Sequence, residues 1–134
     1  MTTRKNSILI IDDDKNCLKI LRYFLINDFD VIFAQGGVQG IRKAQQYLPD
    51  LILLDLIMPF MNGLEALKQL KEIQTTQDIP VIVLYNDGCL QLAYAAIEQG
   101  AYDCIRKPFD YFSVETRVKN TLKQNKALIN QTIL

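Results

Sequence analysis

The sequence contains no histidine. This absence excludes every mechanism that needs an imidazole as base, nucleophile or metal ligand, and with it most hydrolase and zinc sites. Cysteine is scarce as well. Cys17, Cys89 and Cys104 are odd in number and show no Cys-x-x-Cys spacing, which predicts reduced thiols in a cytoplasmic protein.

Neither sign of charge is in excess, because 15 basic residues balance 15 acidic residues. The chain therefore has no global field that would attract nucleic acid or an anionic membrane, and we expect neither as a direct partner. The apolar run near the N-terminus covers only Ile8 to Ile11 before three aspartates follow. A run of that length is too short for a signal peptide or a membrane span.

The chain has 134 residues, of which 49% are hydrophobic and 22% are charged. These values are typical of one globular domain with a single core. We expect one domain over residues 1–134, with its core at about 7–125. Residues 126–134 are expected to extend the last helix or to fray.

Short apolar runs alternate with segments of helical periodicity along the whole chain. Each of the five runs is followed by a predicted helix, which favours an α/β fold with a parallel sheet and right-handed crossovers. Five such units favour a flavodoxin-like, doubly wound (βα)5 fold with strand order 2-1-3-4-5. The strand runs lie at residues 8–11, 31–34, 51–54, 81–84 and 103–106.

Acidic residues follow the first and third predicted strands at their carboxyl ends. Leu51 to Leu54 is a continuous apolar run that ends in Asp55, and the first strand ends in Asp12 and Asp13. Strands one and three are neighbours in the predicted order, so these acids should meet in the crevice where ligands bind. Taken alone, Asp55 could equally cap the following loop.

Three carboxylates in one crevice would repel one another unless a cation lies among them. Oxygen ligands without histidine or suitably placed cysteine favour Mg²⁺ over zinc. Lys107 follows the fifth strand, immediately before Pro108, and could reach the same crevice. A metal ion, three acids and a lysine together suit the binding of a phosphoryl group.

At this point the chain resembles a response-regulator receiver domain of two-component signalling over essentially its whole length. Four segments carry the resemblance: ILIIDDD at 8–14, LILLDLIMPFMNG at 51–63, IPVIVL at 79–84 and GAYDCIRKPF at 100–109.

The resemblance implies a role for each residue at the predicted edge of the sheet. Asp55 would accept a phosphoryl group from a phosphohistidine on a sensor histidine kinase or a histidine phosphotransfer protein. Asp12, Asp13 and Asp55 would bind Mg²⁺ together with the backbone carbonyl of Ile57, and Lys107 would pair with the phosphoryl group. Such a domain is not an enzyme in the ordinary sense, because it catalyses only its own phosphorylation and dephosphorylation.

Two positions depart from the family pattern. Receivers usually carry Thr or Ser at the end of the fourth strand, where this chain has Tyr85, and an aromatic residue three positions before the lysine, where it has Cys104. We hypothesise that the Tyr85 ring replaces the bulk lost at Cys104. The expectation is a domain that accepts phosphate with an altered or weak conformational response. Apolar Ile57 offers no side chain to orient an attacking water, so a long-lived aspartyl phosphate is also expected.

Other readings of the same residues remain open. The main alternative is a pseudo-receiver, a binding module that acts through protein contacts whatever its phosphorylation state. An aspartate-nucleophile phosphatase would need an acid at Ile57, and a flavodoxin would need a Ser/Thr/Gly-rich loop in place of residues 12–15. The resemblance places the downstream protein target on the face formed by the fourth helix, fifth strand and fifth helix. Basic residues on the last helix are interpreted as a solvated face rather than as a nucleic-acid site.

Overall fold

A computed structural model describes the backbone of residues 4–133 and the side chains as far as residue 128. Five strands alternate with five helices, as the apolar runs predicted. In chain order the elements are β1 Ser7–Ile11, α1 Lys15–Leu25, β2 Asp30–Ala34, α2 Gly37–Tyr47, β3 Leu51–Asp55, α3 Gly63–Glu72, β4 Val81–Tyr85, α4 Leu90–Glu98, β5 Asp103–Arg106 and α5 Tyr111–Ile133.

The strands form one parallel sheet in the order β2-β1-β3-β4-β5. This confirms the predicted flavodoxin-like fold and its strand order. The central strands β1 and β3 are fully buried on both faces, which explains why their sequences are continuously apolar rather than alternating. Ile11 lies opposite Leu54 in the register, so the chain leaves both strands at the same edge.

Alternate side chains of the strands enter two separate cores. On one face, Leu9, Ile11 and Leu54 pack with buried residues of α2, α3 and α4, and on the other face Ile10 and Leu53 pack with α1 and α5. Each of these side chains is completely buried. Burial of one such side chain contributes about 1.5–3 kcal/mol, so the two cores hold the helices firmly on the sheet.

Local hydrogen bonds begin two of the helices close to the acidic edge. Asp14 is the N-cap of α1 and accepts from the backbone N–H of Asn16 at 2.9 Å, and Asn62 is the N-cap of α3 and accepts from the N–H of Glu65 at 2.9 Å. These caps satisfy backbone donors that the first helical turn leaves free. They also fix where the two loops leave the sheet edge.

The last helix continues well past the fifth strand. Helix α5 extends to Ile133, through most of the segment for which an extended helix or a frayed tail was expected, and Leu134 lies outside the described residues. None of the described helices combines the length and the hydrophobicity that a membrane-spanning segment needs.

Candidate functional site

Three carboxylates lie together at the carboxyl edge of the sheet. Asp12 directly follows β1, and Asp55 is the last residue of the neighbouring strand β3. Asp12, Asp13 and Asp55 each offer an oxygen within 4.8 Å of the others. Asp12 is completely buried and Asp55 is 4% exposed, whereas Asp13 is exposed to solvent. The structure thus brings together the three acids that the sequence predicted, with one of them facing outward.

Lys107 lies between the two buried acids. Its Nζ atom is 3.1 Å from Oδ2 of Asp12 and 3.1 Å from Oδ1 of Asp55. Its backbone N–H donates to the carbonyl of Tyr85 at 2.7 Å, and the peptide bond to Pro108 is cis. Strand β5 and the hydrogen bond to the Tyr85 carbonyl therefore position the Lys107 ammonium so that one cation pairs with both carboxylates.

Backbone hydrogen bonds hold both acidic loops in place. The N–H of Asp12 donates to the carbonyl of Ala34 at 3.0 Å, and the N–H of Asp14 donates to Oδ1 of Asp12 at 3.0 Å. The N–H of Leu56 continues the sheet ladder by donating to Leu84 at 3.1 Å. These hydrogen bonds hold the backbone next to Asp12 and next to Asp55. The two carboxylates therefore have little freedom to move apart.

Gly63 has a role at the site that the sequence analysis did not assign. Its N–H donates to the carbonyl of Leu56 at 2.9 Å. A Cβ atom at this position would lie 2.4 Å from the carbonyl oxygen of Asp55 and 2.6 Å from the Cα of Leu56. Any side chain here would displace the backbone of Asp55 itself. The sequence shows a glycine at the end of the LILLDLIMPFMNG segment, but it does not show that this glycine packs against the backbone of Asp55 and Leu56.

The electrostatics of the cluster follow from burial and from the shortage of positive charge. Burial raises the pKa of the Asp55 carboxyl from 3.8 to about 6, the charge of Asp12 adds to this, and the Lys107 ammonium opposes it only in part. For Lys107, burial acts against the charged form, but the carboxylates of Asp55 and Asp12 outweigh it and hold its pKa above the usual value. One ammonium faces three carboxylates, so the cluster retains an excess of negative charge.

The donor set fits a hard divalent cation. Carboxylate oxygens are the ligands that Mg²⁺ prefers, and this ion usually keeps several waters and one or two carboxylates. Exposed Asp13 lies on the solvent side, where such waters can enter. Ile57, whose backbone carbonyl was predicted as a further ligand, lies in the loop after β3 with its side chain 47% exposed. The ligand role of that carbonyl stays a prediction.

Cys17 is a neighbour of the cluster to which sequence reasoning gave no role. It lies in the first turn of α1, is 7% exposed and is a free thiol. Burial and, next, the adjacent Asp12 carboxylate raise the pKa of Cys17 far above its normal value. The thiol therefore stays protonated at neutral pH and is a poor nucleophile. Its position one helical turn after the three aspartates is the signal that could have pointed to it.

The two atypical positions lie on one face of the sheet. Tyr85 ends β4 opposite Arg106, and Cys104 lies opposite Val83 on the neighbouring strand β5. Both side chains are half-buried and pack against the core beneath α2, α3 and α4. The Tyr85 ring is thus not directed fully into solvent. Compensation between the Tyr85 ring and Cys104 stays a prediction.

A doubly wound parallel sheet with acids at the carboxyl ends of β1 and β3 and a lysine after β5 is typical of receiver modules in two-component signalling. The family model described as response regulator receiver domain matches residues 8–119. The chain belongs to this family. Its members are signalling modules rather than conventional enzymes, and the family membership supports a phosphoacceptor role.

Individual relatives agree with the family assignment. The chain is 36% identical over 124 residues to histidine kinase P4 of Formosa agariphila, which covers 92% of this chain and 9% of that protein. It is 35% identical over 118 residues to response regulator ArlR of Staphylococcus saprophyticus, which covers 87% of this chain and 52% of that protein. These two relatives are a kinase and a response regulator, and the chain spans about half of the latter and a small part of the former.

A solved structure supports the same fold. The response regulator receiver domain protein of Clostridium thermocellum superposes with a TM-score of 0.85 at 28% identity, over 92% of this chain and 98% of that one.

Proposed function

We propose that the protein is a phosphoacceptor in a two-component or phosphorelay pathway and that Asp55 is the residue phosphorylated. The donor would be a phosphohistidine on a sensor histidine kinase or a histidine phosphotransfer protein. The observation that supports this most directly is the single Lys107 ammonium 3.1 Å from both Asp12 and Asp55 at the sheet edge. This arrangement places a nucleophilic carboxylate beside a cation that can pair with an incoming phosphoryl oxygen.

Asp55 needs no general base in this reaction. Its carboxyl has a pKa of about 6, so the nucleophilic carboxylate form predominates at neutral pH. One of its oxygens attacks phosphorus, a new O–P bond forms, and the P–N bond to the donor imidazole breaks with its electron pair remaining on nitrogen. Catalysis then consists of positioning and of charge stabilisation.

The remaining residues of the cluster would stabilise the charge of the phosphoryl group. Lys107 would pair with one phosphoryl oxygen, in exchange for its contact with Asp55. Asp12, Asp13 and Asp55, with the carbonyl of Ile57, would hold Mg²⁺. The ion, when bound, supplies positive charge that neutralises the transferring oxygens.

Conformational switching is proposed to be weak. At the end of β4, Tyr85 carries its hydroxyl a full ring further from the backbone than Thr or Ser would, so it cannot make the same short contact with a phosphoryl group. Cys104 has no ring to turn inward. The Tyr85→Thr variant should show a larger change in amide hydrogen exchange across α4 on phosphorylation than wild type does, and equal changes in the two proteins would contradict the proposal.

The downstream partner is proposed to be a protein that binds the face formed by α4, β5 and α5. Exposed apolar side chains lie there, among them Tyr94 and Phe112. Two of the basic residues of α5 are already paired, Arg117 with Asp103 at 2.8 Å and Lys119 with Glu115 at 2.8 Å, which supports a solvated face rather than a nucleic-acid site. The free thiols fit a cytoplasmic location.

A pseudo-receiver is the second candidate, and the unusual residues Tyr85 and Cys104 favour it. Incubation of the protein with phosphoramidate, with and without Mg²⁺, followed by intact-mass spectrometry separates the two functions. The phosphoacceptor should gain one phosphoryl group in the presence of Mg²⁺. Asp55→Ala should lose that gain, whereas Asp28→Ala, which removes an exposed acid, should keep it. No gain in wild type would favour the pseudo-receiver, and a gain that survives in Asp55→Ala would refute the assignment of Asp55.

A further inference from the structure

The loop after β3 presents Phe60 to solvent at a cost in free energy. The Phe60 side chain is fully exposed, at 106% of its reference area, and its φ of 69° lies in the left-handed region. Leu48 is the other non-glycine residue with positive φ among residues 4–133, and it ends helix α2, where this conformation is common. No helix end accounts for Phe60. A strained backbone that displays a bare aromatic ring points to a functional constraint.

The surroundings of Phe60 are uncharged and mostly apolar. Val38 is 57% exposed and Ile57 is 47% exposed. Met61 packs so closely on Gly37 that a Cβ atom there would lie 2.7 Å from its sulfur, so the loop after β3 packs against the first residue of α2. Beside the ring lies a groove of about 270 Å³. The Phe60 surface comprises Val38, Pro59, Phe60 and Met61, which line this groove together with Gly36, Gly37 and the polar Gln35 and Gln39.

The Phe60 surface carries no charge. Residues 35–41 and 56–64 contain no Lys, Arg, Asp or Glu, whereas Asp13 and Asp14 are exposed on the other side of the site. A partner that meets the Phe60 surface must therefore offer apolar groups and gains little from charged ones.

The position of Phe60 limits what can cover it. Gly63 touches the backbone of Asp55, and the three residues from Phe60 to Gly63 span at most about 11 Å of extended chain. A protein that places a phosphohistidine within bonding distance of Asp55 therefore brings its own surface close to this loop. Its surface, which extends well beyond one side chain, then meets the exposed ring.

We infer that the Phe60 surface is the docking site for the protein that phosphorylates Asp55, with Phe60 as an anchor in an apolar pocket of that donor. The inference rests on the proposed function, since it names a determinant of recognition by the phosphodonor. The metal ligands and the phosphoryl-binding residues proposed above do not include Phe60. It should therefore affect transfer from a protein donor and leave transfer from a small donor unchanged.

The test compares two kinds of donor on the same variants. Sensor kinases and phosphotransfer proteins encoded in the same genome are purified, phosphorylated and mixed with the wild-type chain, and the fastest donor is used for kinetics. Phosphoramidate is the small donor. The variants are Phe60→Ala, Phe60→Leu, which keeps apolar bulk, and Tyr47→Ala, which removes an exposed ring at the end of α2.

Phe60→Ala should lower kcat/KM for the protein donor by about tenfold or more, mostly through KM, as expected for loss of an interface anchor. Phe60→Leu should retain most of the rate, and Tyr47→Ala should stay within about twofold of wild type. All variants should react with phosphoramidate at the wild-type rate.

Several results would overturn the inference while the proposed function stands. They are protein-donor kinetics unaffected by Phe60→Ala, an equal loss in Tyr47→Ala, and transfer from phosphoramidate but from none of the protein donors. A change of oligomeric state in Phe60→Ala with unchanged transfer would identify the Phe60 surface as a contact between two copies instead. Failure of phosphoramidate to modify wild type would remove the proposed function, and the inference with it.

Discussion

Replacing Asp55 by asparagine removes one buried carboxylate from a cluster that has too little positive charge, and we expect the metal-free protein to become more stable at pH 8. Asn has nearly the same shape and keeps an oxygen that can accept from Lys107. In the wild type, a pKa that moves from 3.8 to about 6 corresponds to about 3 kcal/mol against the ionised form in the folded state. A gain of about 1–3 kcal/mol is therefore expected for Asp55→Asn.

The sign of the pH dependence follows from the same pKa. The unfolded chain loses the Asp55 proton near pH 4, whereas the folded protein keeps it until about pH 6. Between these values the folded state binds more protons, so wild-type stability falls as pH rises and then becomes constant. The difference between wild type and Asp55→Asn should accordingly be small at pH 4 and fully developed above pH 7.

Added Mg²⁺ should reduce the stability advantage of Asp55→Asn. Binding to the folded wild type adds about 2.7 kcal/mol at a concentration one hundred times the dissociation constant, and the variant, with one ligand fewer, gains less. Urea unfolding at pH 4 and pH 8, with and without Mg²⁺, measures both effects. Glu98→Gln, which neutralises an exposed acid, should change stability by less than about 0.5 kcal/mol. An Asp55→Asn protein that is no more stable than wild type at pH 8 without Mg²⁺ would refute the reasoning.

Three further outcomes are expected. Gly63→Ala should lose about 3 kcal/mol or more of stability, because its Cβ would meet backbone atoms. Gly36→Ala should be nearly neutral, because nothing lies within 4 Å of a Cβ atom at that position. Urea unfolding of both variants tests this prediction, and similar losses of stability would contradict the packing argument. Lys107→Met should slow phosphorylation by phosphoramidate about 10²–10³-fold through loss of charge stabilisation, and Lys107→Arg should recover part of the rate. Intact-mass spectrometry measures both rates. An unchanged rate in Lys107→Met would exclude a role for the Lys107 ammonium. The aspartyl phosphate of wild type should decay more slowly than that of Ile57→Asn, because an amide at this position can orient water, and equal lifetimes would count against that role.

The site shows how far chain position alone can predict spatial position. Asp12 and Asp55 could be paired from sequence because parallel strands end at a common edge, and their register leaves few alternatives once the order is 2-1-3-4-5. Lys107 could be placed at the same edge by the same rule. Its equal distance from two carboxylates depends on the backbone bond to Tyr85, which no spacing rule predicts. The roles of these residues in phosphoryl transfer stay proposals.

The sequence by itself determined the α/β class, the five alternating units, the strand order and the set of acids at one edge, because these depend on the period of apolar residues and on general rules of chain connection. Only the tertiary structure decided that Asp12 is buried while its neighbour Asp13 is exposed, that Gly63 touches Asp55, and that Phe60 is held out in solvent. These properties arise where loops from different strands meet. Packing there depends on contacts between residues distant in the chain, which local patterns do not record.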